Sequence, residues 1–254
     1  MKKALFYVLV FLFVQLVTSF LFVSGLRLVG IDATTTVWTV TISALASVVT
    51  VAVFAWMRWT PVTRSYLRSR PWAVLIWSAV AAFGAILPSM GLQDVLPELP
   101  NLVEDEMTGM LRSRWGYFAL GLFAPVAEEF VFRGAVLRSL LNSSMRPWVA
   151  IAVSALLFAV AHLNPAQLVH AFLIGLLLGW MYWRTGSIIP GIVYHWVNNS
   201  IAYAMMNLMP IAQTEHLSDL FGGDMLRMVL SIVFSLFILL PALYQLNQGM
   251  KRVG

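Results

Sequence analysis

The sequence contains no cysteine and few charged residues. Of its 254 residues only 11% are Asp, Glu, Lys or Arg, whereas 60% are hydrophobic. An ordinary soluble domain carries about 25% charged residues, so the composition excludes that class. The absence of cysteine excludes disulfides, thiolate metal sites and a cysteine nucleophile. Hydrophobic runs of about 20 residues predict membrane-spanning helices rather than the strands of a membrane barrel.

Hydropathy predicts an all-α polytopic membrane protein with about eight transmembrane helices in one bundle. The whole chain, residues 1–254, is predicted to form a single integral membrane domain. The predicted spans are residues 4–24, 36–57, 71–92, 116–140, 147–163, 167–183, 187–208 and 226–247. The first span is longer than the apolar part of a signal peptide and lacks a small-residue cleavage pattern, so it is interpreted as uncleaved. Spans 147–163 and 167–183 are short, about 25 Å each, which places His162 close to a turn.

The charged residues divide unevenly between the two sides of this topology. With the N-terminus in the cytoplasm, 11 of the 16 basic residues lie in inner segments and four lie in outer segments. The remaining one, Arg133, lies within a span, as do Glu128 and Glu129, whereas all other acidic residues lie outside. This asymmetry follows the positive-inside rule and predicts a multi-pass plasma-membrane protein with both termini in the cytoplasm. The net charge of +5 is therefore interpreted as a topology signal, and nucleic acid is not an expected partner.

Three charged residues lie close together in the span 116–140. An ionised group at that depth costs several kcal/mol unless it is paired or lines a wet cavity. Glu129 and Arg133 are four residues apart and share a helix face, which predicts an internal ion pair. Glu128 is rotated about 100° from Glu129 and has no local countercharge. One carboxylate is thus predicted to be structural and the other to be available for chemistry.

Later spans add two histidines and an amide, namely His162, His195 and Asn199. His195 and Asn199 are four residues apart, so they face the same point. A carboxylate, two imidazoles and an amide that converge within the bilayer can hold and activate a water molecule. This predicts a polar catalytic cavity. Taken singly, each residue has a structural explanation, because a lone buried histidine is commonly a core residue and an amide can tie two helices together.

These residues form three motifs that lie in order along the chain. They are Glu128-Glu129-x-x-x-Arg133, Phe158-x-x-x-His162 and His195-x-x-x-Asn199. They resemble the motifs of the CPBP family, the CAAX prenyl protease and bacteriocin-processing (Abi) intramembrane peptidases. The resemblance covers about residues 116–200 and implies that this segment is the catalytic core. Within the family, the segment is similar in particular to type II CAAX-prenyl endopeptidases. The resemblance implies an intramembrane endopeptidase that acts on a membrane-associated or lipidated peptide or protein.

The resemblance also implies a role for each motif residue. Glu128 is the expected general base, and His162 is expected to hold and polarise the attacking water. His195 and Asn199 are expected to stabilise the oxyanion, with Glu129 and Arg133 in support. No cofactor is required by this scheme. Two histidines and a glutamate are nevertheless a sufficient zinc ligand set, so Glu128, His162 and His195 stay open as an alternative metal site.

Two other classes of function are compatible with buried charge. A transporter or channel also places ionisable residues in the membrane, although it usually shows an internal repeat, and none is found in the sequence. A non-catalytic immunity or scaffold protein would carry the same residues for structural reasons. It predicts that Glu128→Gln and His195→Ala leave function intact.

Overall fold

The chain is helical throughout the residues that the structure describes. The computed structural model describes residues 1–63, 72–209 and 216–251. The helices are α1 Lys2–Leu28, α2 Thr36–Trp56, α3 Ala73–Val95, α4 Glu104–Arg112, α5 at 117–141, α6 Pro147–Ala161, α7 Leu168–Thr185, α8 Ile189–Leu208 and α9 Met225–Gly249. Short 3-10 turns at Pro165–Gln167 and Leu217–Phe221 precede α7 and α9. No strand occurs within these ranges, which confirms the all-α prediction.

Five helices in the described ranges are long and apolar enough to cross a membrane. They are α1, α2, α3, α9 and the helix formed by α7 with its preceding turn. The prediction of eight spans is therefore not confirmed. α6 has 15 residues, about 22 Å at 1.5 Å per residue, which is shorter than the hydrocarbon core of about 30 Å. α5 and α8 carry the charged and polar residues of the three motifs, which make them less apolar than an ordinary span.

The middle of the bundle is occupied by α5. All residues from Phe130 to Leu137 are buried, and α5 packs against α1, α2, α6, α7 and α8. The Phe132 ring meets Phe11 of α1 and Phe158 of α6 edge-on, with centroid distances of 5.5 and 5.1 Å. α3 packs along α8 and α9 on another side. Glu128, Glu129 and Arg133 are thus held inside the bundle by the other helices.

Two stretches of α5 are π-helical. They cover Tyr117–Phe123 and Phe130–Leu137. Irregular helical turns free backbone groups, and at membrane depth these need partners from neighbouring segments. The Thr60 hydroxyl donates to the Phe130 carbonyl at 2.6 Å, and the Ser154 hydroxyl donates to the Phe132 carbonyl at 3.1 Å. These two contacts anchor the turn of α5 that follows Glu129.

The charged side chains outside the bundle core collect at two opposite ends. The Arg184 guanidinium at the end of α7 donates to the Asn247 amide oxygen of α9 at 2.6 Å. At the other end Asp94 of α3 accepts a hydrogen bond of 2.8 Å from the Leu217 backbone N–H. The basic end comprises Lys2, Lys3, Arg58, Arg138, Arg146, Arg184 and Lys251. The acidic end comprises Asp32, Asp94, Glu98, Glu104, Asp105, Glu106, Asp219 and Asp224, and it also holds Arg27, Arg112, Arg114 and Arg227.

Candidate active site

Glu129 and Arg133 form an ion pair inside the bundle. Arg133 Nη1 donates to Glu129 Oε1 at 2.8 Å, and neither side chain is more than 1% exposed. Arg133 Nη2 also donates to the Gly175 carbonyl of α7 at 3.2 Å, and the guanidinium carbon lies 4.6 Å from the centre of the Phe158 ring. A buried charge is tolerated when it is paired, hydrogen-bonded and stacked in this way. The ion pair predicted from sequence spacing is present, and it ties α5 to α6 and α7.

The imidazole of His195 on α8 lies between the two adjacent carboxylates of α5. Its Nδ1 is 3.4 Å from Glu129 Oε1, and its Nε2 is 3.7 Å from Glu128 Oε2. His195 Nδ1 has no hydrogen-bond partner among the described residues, so the contact with Glu129 is electrostatic. The Glu128 side chain is 20% exposed, whereas that of Glu129 is fully buried. Only Glu128 is therefore accessible to a water molecule or a substrate.

The Phe158 ring brings the two site imidazoles together. Its centroid lies 4.8 Å from that of His162 and 5.9 Å from that of His195, and both contacts are edge-on. His162 directly follows Ala161, the last residue of α6, and its Nδ1 is 2.9 Å from the Phe158 carbonyl oxygen. Because a carbonyl oxygen only accepts, His162 Nδ1 carries the proton, and Nε2 is the acceptor in the neutral ring. The position near a turn predicted for His162 is confirmed, and the short α6 ends beside the site.

Asn199 lies one turn beyond His195 on α8, and its side-chain amide is hydrogen-bonded to the backbone of α5. Asn199 Nδ2 donates to the Leu120 carbonyl at 2.9 Å, and its Oδ1 accepts from Asn198 Nδ2 at 3.3 Å. Leu120 belongs to the first π-helical stretch. An amide nitrogen carries two donor hydrogens, so one hydrogen of Asn199 is left for another acceptor. Asn199 thus joins α8 to α5, on the same helix as His195.

The described part of the chain holds no group of three His, Asp or Glu side chains close enough to bind a metal ion. The alternative zinc set of Glu128, His162 and His195 is therefore not assembled in this arrangement. The other two histidines have separate partners. His170 Nδ1 lies 2.6 Å from the Ser89 hydroxyl, and His216 Nδ1 lies 3.7 Å from an Asp94 carboxylate oxygen at the acidic end.

Two residues of the site were not given a role by the sequence. A Cβ at Gly191 would lie 2.7 Å from Glu129 Oε2, so glycine leaves the room that the buried carboxylate occupies beside α8. Phe158 contacts Arg133, His162 and His195 through one ring. Gly191 could have been noticed in the sequence because it lies four residues before His195 on the same helix. A glycine inside a helix costs about 1 kcal/mol, so its presence there suggests a close contact.

Comparison with known proteins agrees with these motifs. Residues 111–201, which contain all three motifs, match the family model described as Type II CAAX prenyl endopeptidase Rce1-like. The UPF0177 protein YxdF of Lactococcus lactis subsp. lactis is 25% identical over 112 residues, which are 44% of this chain and 54% of that protein. The chain therefore matches about half the length of this curated relative. No solved structure matches the chain.

The family match confirms, over residues 111–201, the resemblance that the motifs indicated. Together with the five long apolar helices, it identifies the chain as an integral membrane protein.

Proposed function

We propose that this protein is an intramembrane endopeptidase, because its three-motif segment is that of the Rce1-like type II CAAX prenyl endopeptidases. Its substrate in this proposal is a membrane-associated or lipidated peptide or protein. The observation that carries the proposal is the contrast between two adjacent carboxylates. Glu129 is paired with Arg133 and fully buried, whereas Glu128 is partly exposed beside His195. The accessible carboxylate can act as a base toward water, while the buried one holds the helix that carries it.

In the proposed reaction Glu128 is the general base. Its carboxylate removes a proton from a water molecule while the water oxygen attacks the carbonyl carbon of the scissile peptide bond. The same proton then passes to the leaving nitrogen as the carbon–nitrogen bond breaks. General-base catalysis by a positioned side chain contributes about 10²–10⁴ in rate, and the 20% exposure of Glu128 supports access for both reactants.

The two imidazoles take different parts in this scheme. His162 Nδ1 bonds the Phe158 carbonyl, so its Nε2 is the atom that accepts a hydrogen bond from the attacking water. His195 and the remaining amide hydrogen of Asn199 donate to the oxyanion that forms on the former carbonyl oxygen. Glu129, 3.4 Å from His195 Nδ1, orients that ring, and Arg133 holds Glu129 in place.

The scheme requires no metal ion, since each proton has a side chain to accept or donate it. A zinc ion held by Glu128, His162 and His195 is the competing arrangement, and it makes the opposite prediction for a chelator. The ligands would have to move together to bind it, because they form no such group among the described residues.

We further propose that the eight helices other than α4 all cross the plasma membrane, with the basic end in the cytoplasm. α5, α6 and α8 are the less apolar or shorter members of this set. They pack within the other helices, so their polar residues would form a cavity within the bilayer. The concentration of basic residues at one end of the bundle supports this orientation.

The proposed function is tested with the full chain in liposomes and a quenched peptide library. Wild type is compared with Glu128→Gln and with Glu106→Gln, which makes the same substitution at an exposed carboxylate of α4. We expect cleavage to fall by about 10²–10⁴ in Glu128→Gln and to stay unchanged in Glu106→Gln and with a chelator present.

Three results would contradict parts of the proposal. Equal cleavage by Glu128→Gln and wild type rejects Glu128 as the base. Cleavage that a chelator abolishes and zinc restores replaces the metal-free scheme with the zinc arrangement. A folded wild-type protein that cleaves no peptide, lipidated substrates included, favours a transporter or a non-catalytic scaffold.

A further inference from the structure

A cavity of about 570 Å³ opens at the basic end, away from the catalytic residues. It lies between the start of α1, the segment that follows α2 and the end of α5. Its lining includes the basic side chains of Lys2, Lys3 and Arg138, the rings of Tyr7 and Trp59, and the amide of Asn142. Its volume falls in the range of about 300–1,000 Å³ that is typical of small-molecule sites.

The positive charge in this cavity has no counterpart among the residues that the structure describes. No carboxylate lines the cavity in the described part of the chain, and the whole sequence has none in residues 1–31, 33–93 or 130–214. Arg138 Nη1 donates to the Trp59 carbonyl oxygen at 3.5 Å, a neutral partner. Three cationic side chains therefore surround one concave space to which the described residues supply no countercharge, and an anionic ligand would complement it.

The surroundings of the cavity are those of a membrane surface. The Trp59 ring contacts Phe6 and Tyr7 at centroid distances of 5.5 and 5.2 Å. Aromatic rings beside lysine and arginine at the ends of apolar helices are typical of the headgroup level of a bilayer. The outer face of α1 next to the cavity is apolar, with Phe6 50% and Leu9 65% exposed, and can lie along lipid chains.

We propose that this cavity binds the phosphate of an anionic phospholipid headgroup. Basic pockets between membrane helices bind such headgroups, because the phosphate supplies the missing countercharge. Lys2, Lys3 and Arg138 pair with the phosphate, and Asn142 donates to a polar group of the headgroup. A free phosphate ion offers the same charge, but it would leave the exposed apolar face of α1 unused. The occupant is therefore a lipid.

The bound headgroup joins α1 to α5. Arg138 belongs to α5 and contacts the Trp59 carbonyl. Thr60, which follows Trp59 in the chain, donates to the Phe130 carbonyl of α5. A ligand that binds the folded state and not the unfolded one raises the apparent stability of the protein. Lipid binding is therefore measurable both as affinity and as a rise in melting temperature, without any reference to peptidase activity.

The test compares phosphatidylglycerol with phosphatidylcholine bound to the full chain, by native mass spectrometry from detergent micelles. The variant is Lys3→Gln/Arg138→Gln. The control is Arg146→Gln/Lys251→Gln, which removes the same charge at the same end from residues outside the cavity. We expect wild type to prefer phosphatidylglycerol. Each charge removed from the cavity lowers that affinity by about fivefold, and the two together by roughly thirtyfold.

The control is expected to keep the wild-type affinity and the rise in melting temperature with phosphatidylglycerol. Equal affinities of the cavity variant and the control overturn the proposal, as does equal binding of the two lipids by wild type. Inorganic phosphate added to phosphatidylcholine micelles shows whether the cavity binds a lipid headgroup or a free phosphate ion. If it stabilises wild type as much as the lipid does, the occupant is a soluble anion and the lipid proposal fails. If the double variant does not fold, Lys3→Gln alone is tested for a loss of about fivefold.

Discussion

Replacing Arg133 with methionine tests whether the buried ion pair holds the centre of the bundle. The substitution removes the 2.8 Å contact with Glu129, the bond to the Gly175 carbonyl and the contact with the Phe158 ring. It leaves the Glu129 carboxylate fully buried without its arginine, and only the His195 imidazole, 3.4 Å away, stays beside it. Breaking a buried pair by removing one member costs about 3–5 kcal/mol. We expect a loss of that size in the free energy of unfolding, measured by titration with a denaturing detergent.

Two further variants test whether the loss of stability comes from leaving one charge buried. Arg227→Met makes the same change in an exposed pair, where Arg227 is 74% exposed and 3.1 Å from Asp224, and should cost at most about 1 kcal/mol. Glu129→Gln/Arg133→Met removes both buried charges and should be more stable than Arg133→Met alone. A cost below about 1 kcal/mol for Arg133→Met, or a double variant no more stable than Arg133→Met, would show that the buried ion pair does not hold the bundle together.

Two other predictions follow from close contacts around α5. Gly191→Ala places a Cβ 2.7 Å from Glu129 Oε2 and should cost about 1–3 kcal/mol in unfolding free energy while reducing cleavage. Gly25→Ala, with nothing within 4 Å of the new Cβ, should be neutral or stabilising by up to about 1 kcal/mol, and equal effects at both glycines would contradict the packing argument. Thr60→Val keeps the side-chain shape but removes the 2.6 Å bond to the Phe130 carbonyl. We expect a cost of about 1–3 kcal/mol in the same detergent titration, and an unchanged free energy would show that this bond does not anchor α5.

The polar residues of α5 could be interpreted from the sequence because their relation is local. Glu129 and Arg133 are one helical turn apart, so helix geometry alone places them together, and the structure has the ion pair. Helix positions followed from hydropathy for the same reason, as with the predicted span 71–92 and the observed Ala73–Val95. The number of membrane spans is harder to predict from hydropathy, because α6 is short and α5 and α8 carry polar residues.

The contacts between helices could not be predicted, because they depend on how distant segments pack. Asn199 bonds the Leu120 carbonyl, 79 positions away, and nothing in the local sequence distinguishes this role from oxyanion binding. The contact of His195 with both carboxylates likewise requires α8 to lie against α5. The π-helical turn after Glu129 is anchored by hydroxyls from other segments, such as that of Thr60, so the periodicity of α5 alone does not indicate it.

In the proposed enzyme the two adjacent carboxylates have opposite roles, and one pair of variants distinguishes them. Cleavage rate and unfolding free energy are measured together for Glu128→Gln and Glu129→Gln. We expect Glu128→Gln to lower cleavage by about 10²–10⁴ and to change stability by less than about 1 kcal/mol. Glu129→Gln leaves Arg133 unpaired and should cost about 3–5 kcal/mol of stability. Wild-type cleavage by folded Glu128→Gln, or equal destabilisation by the two substitutions, would contradict these opposite roles of Glu128 and Glu129.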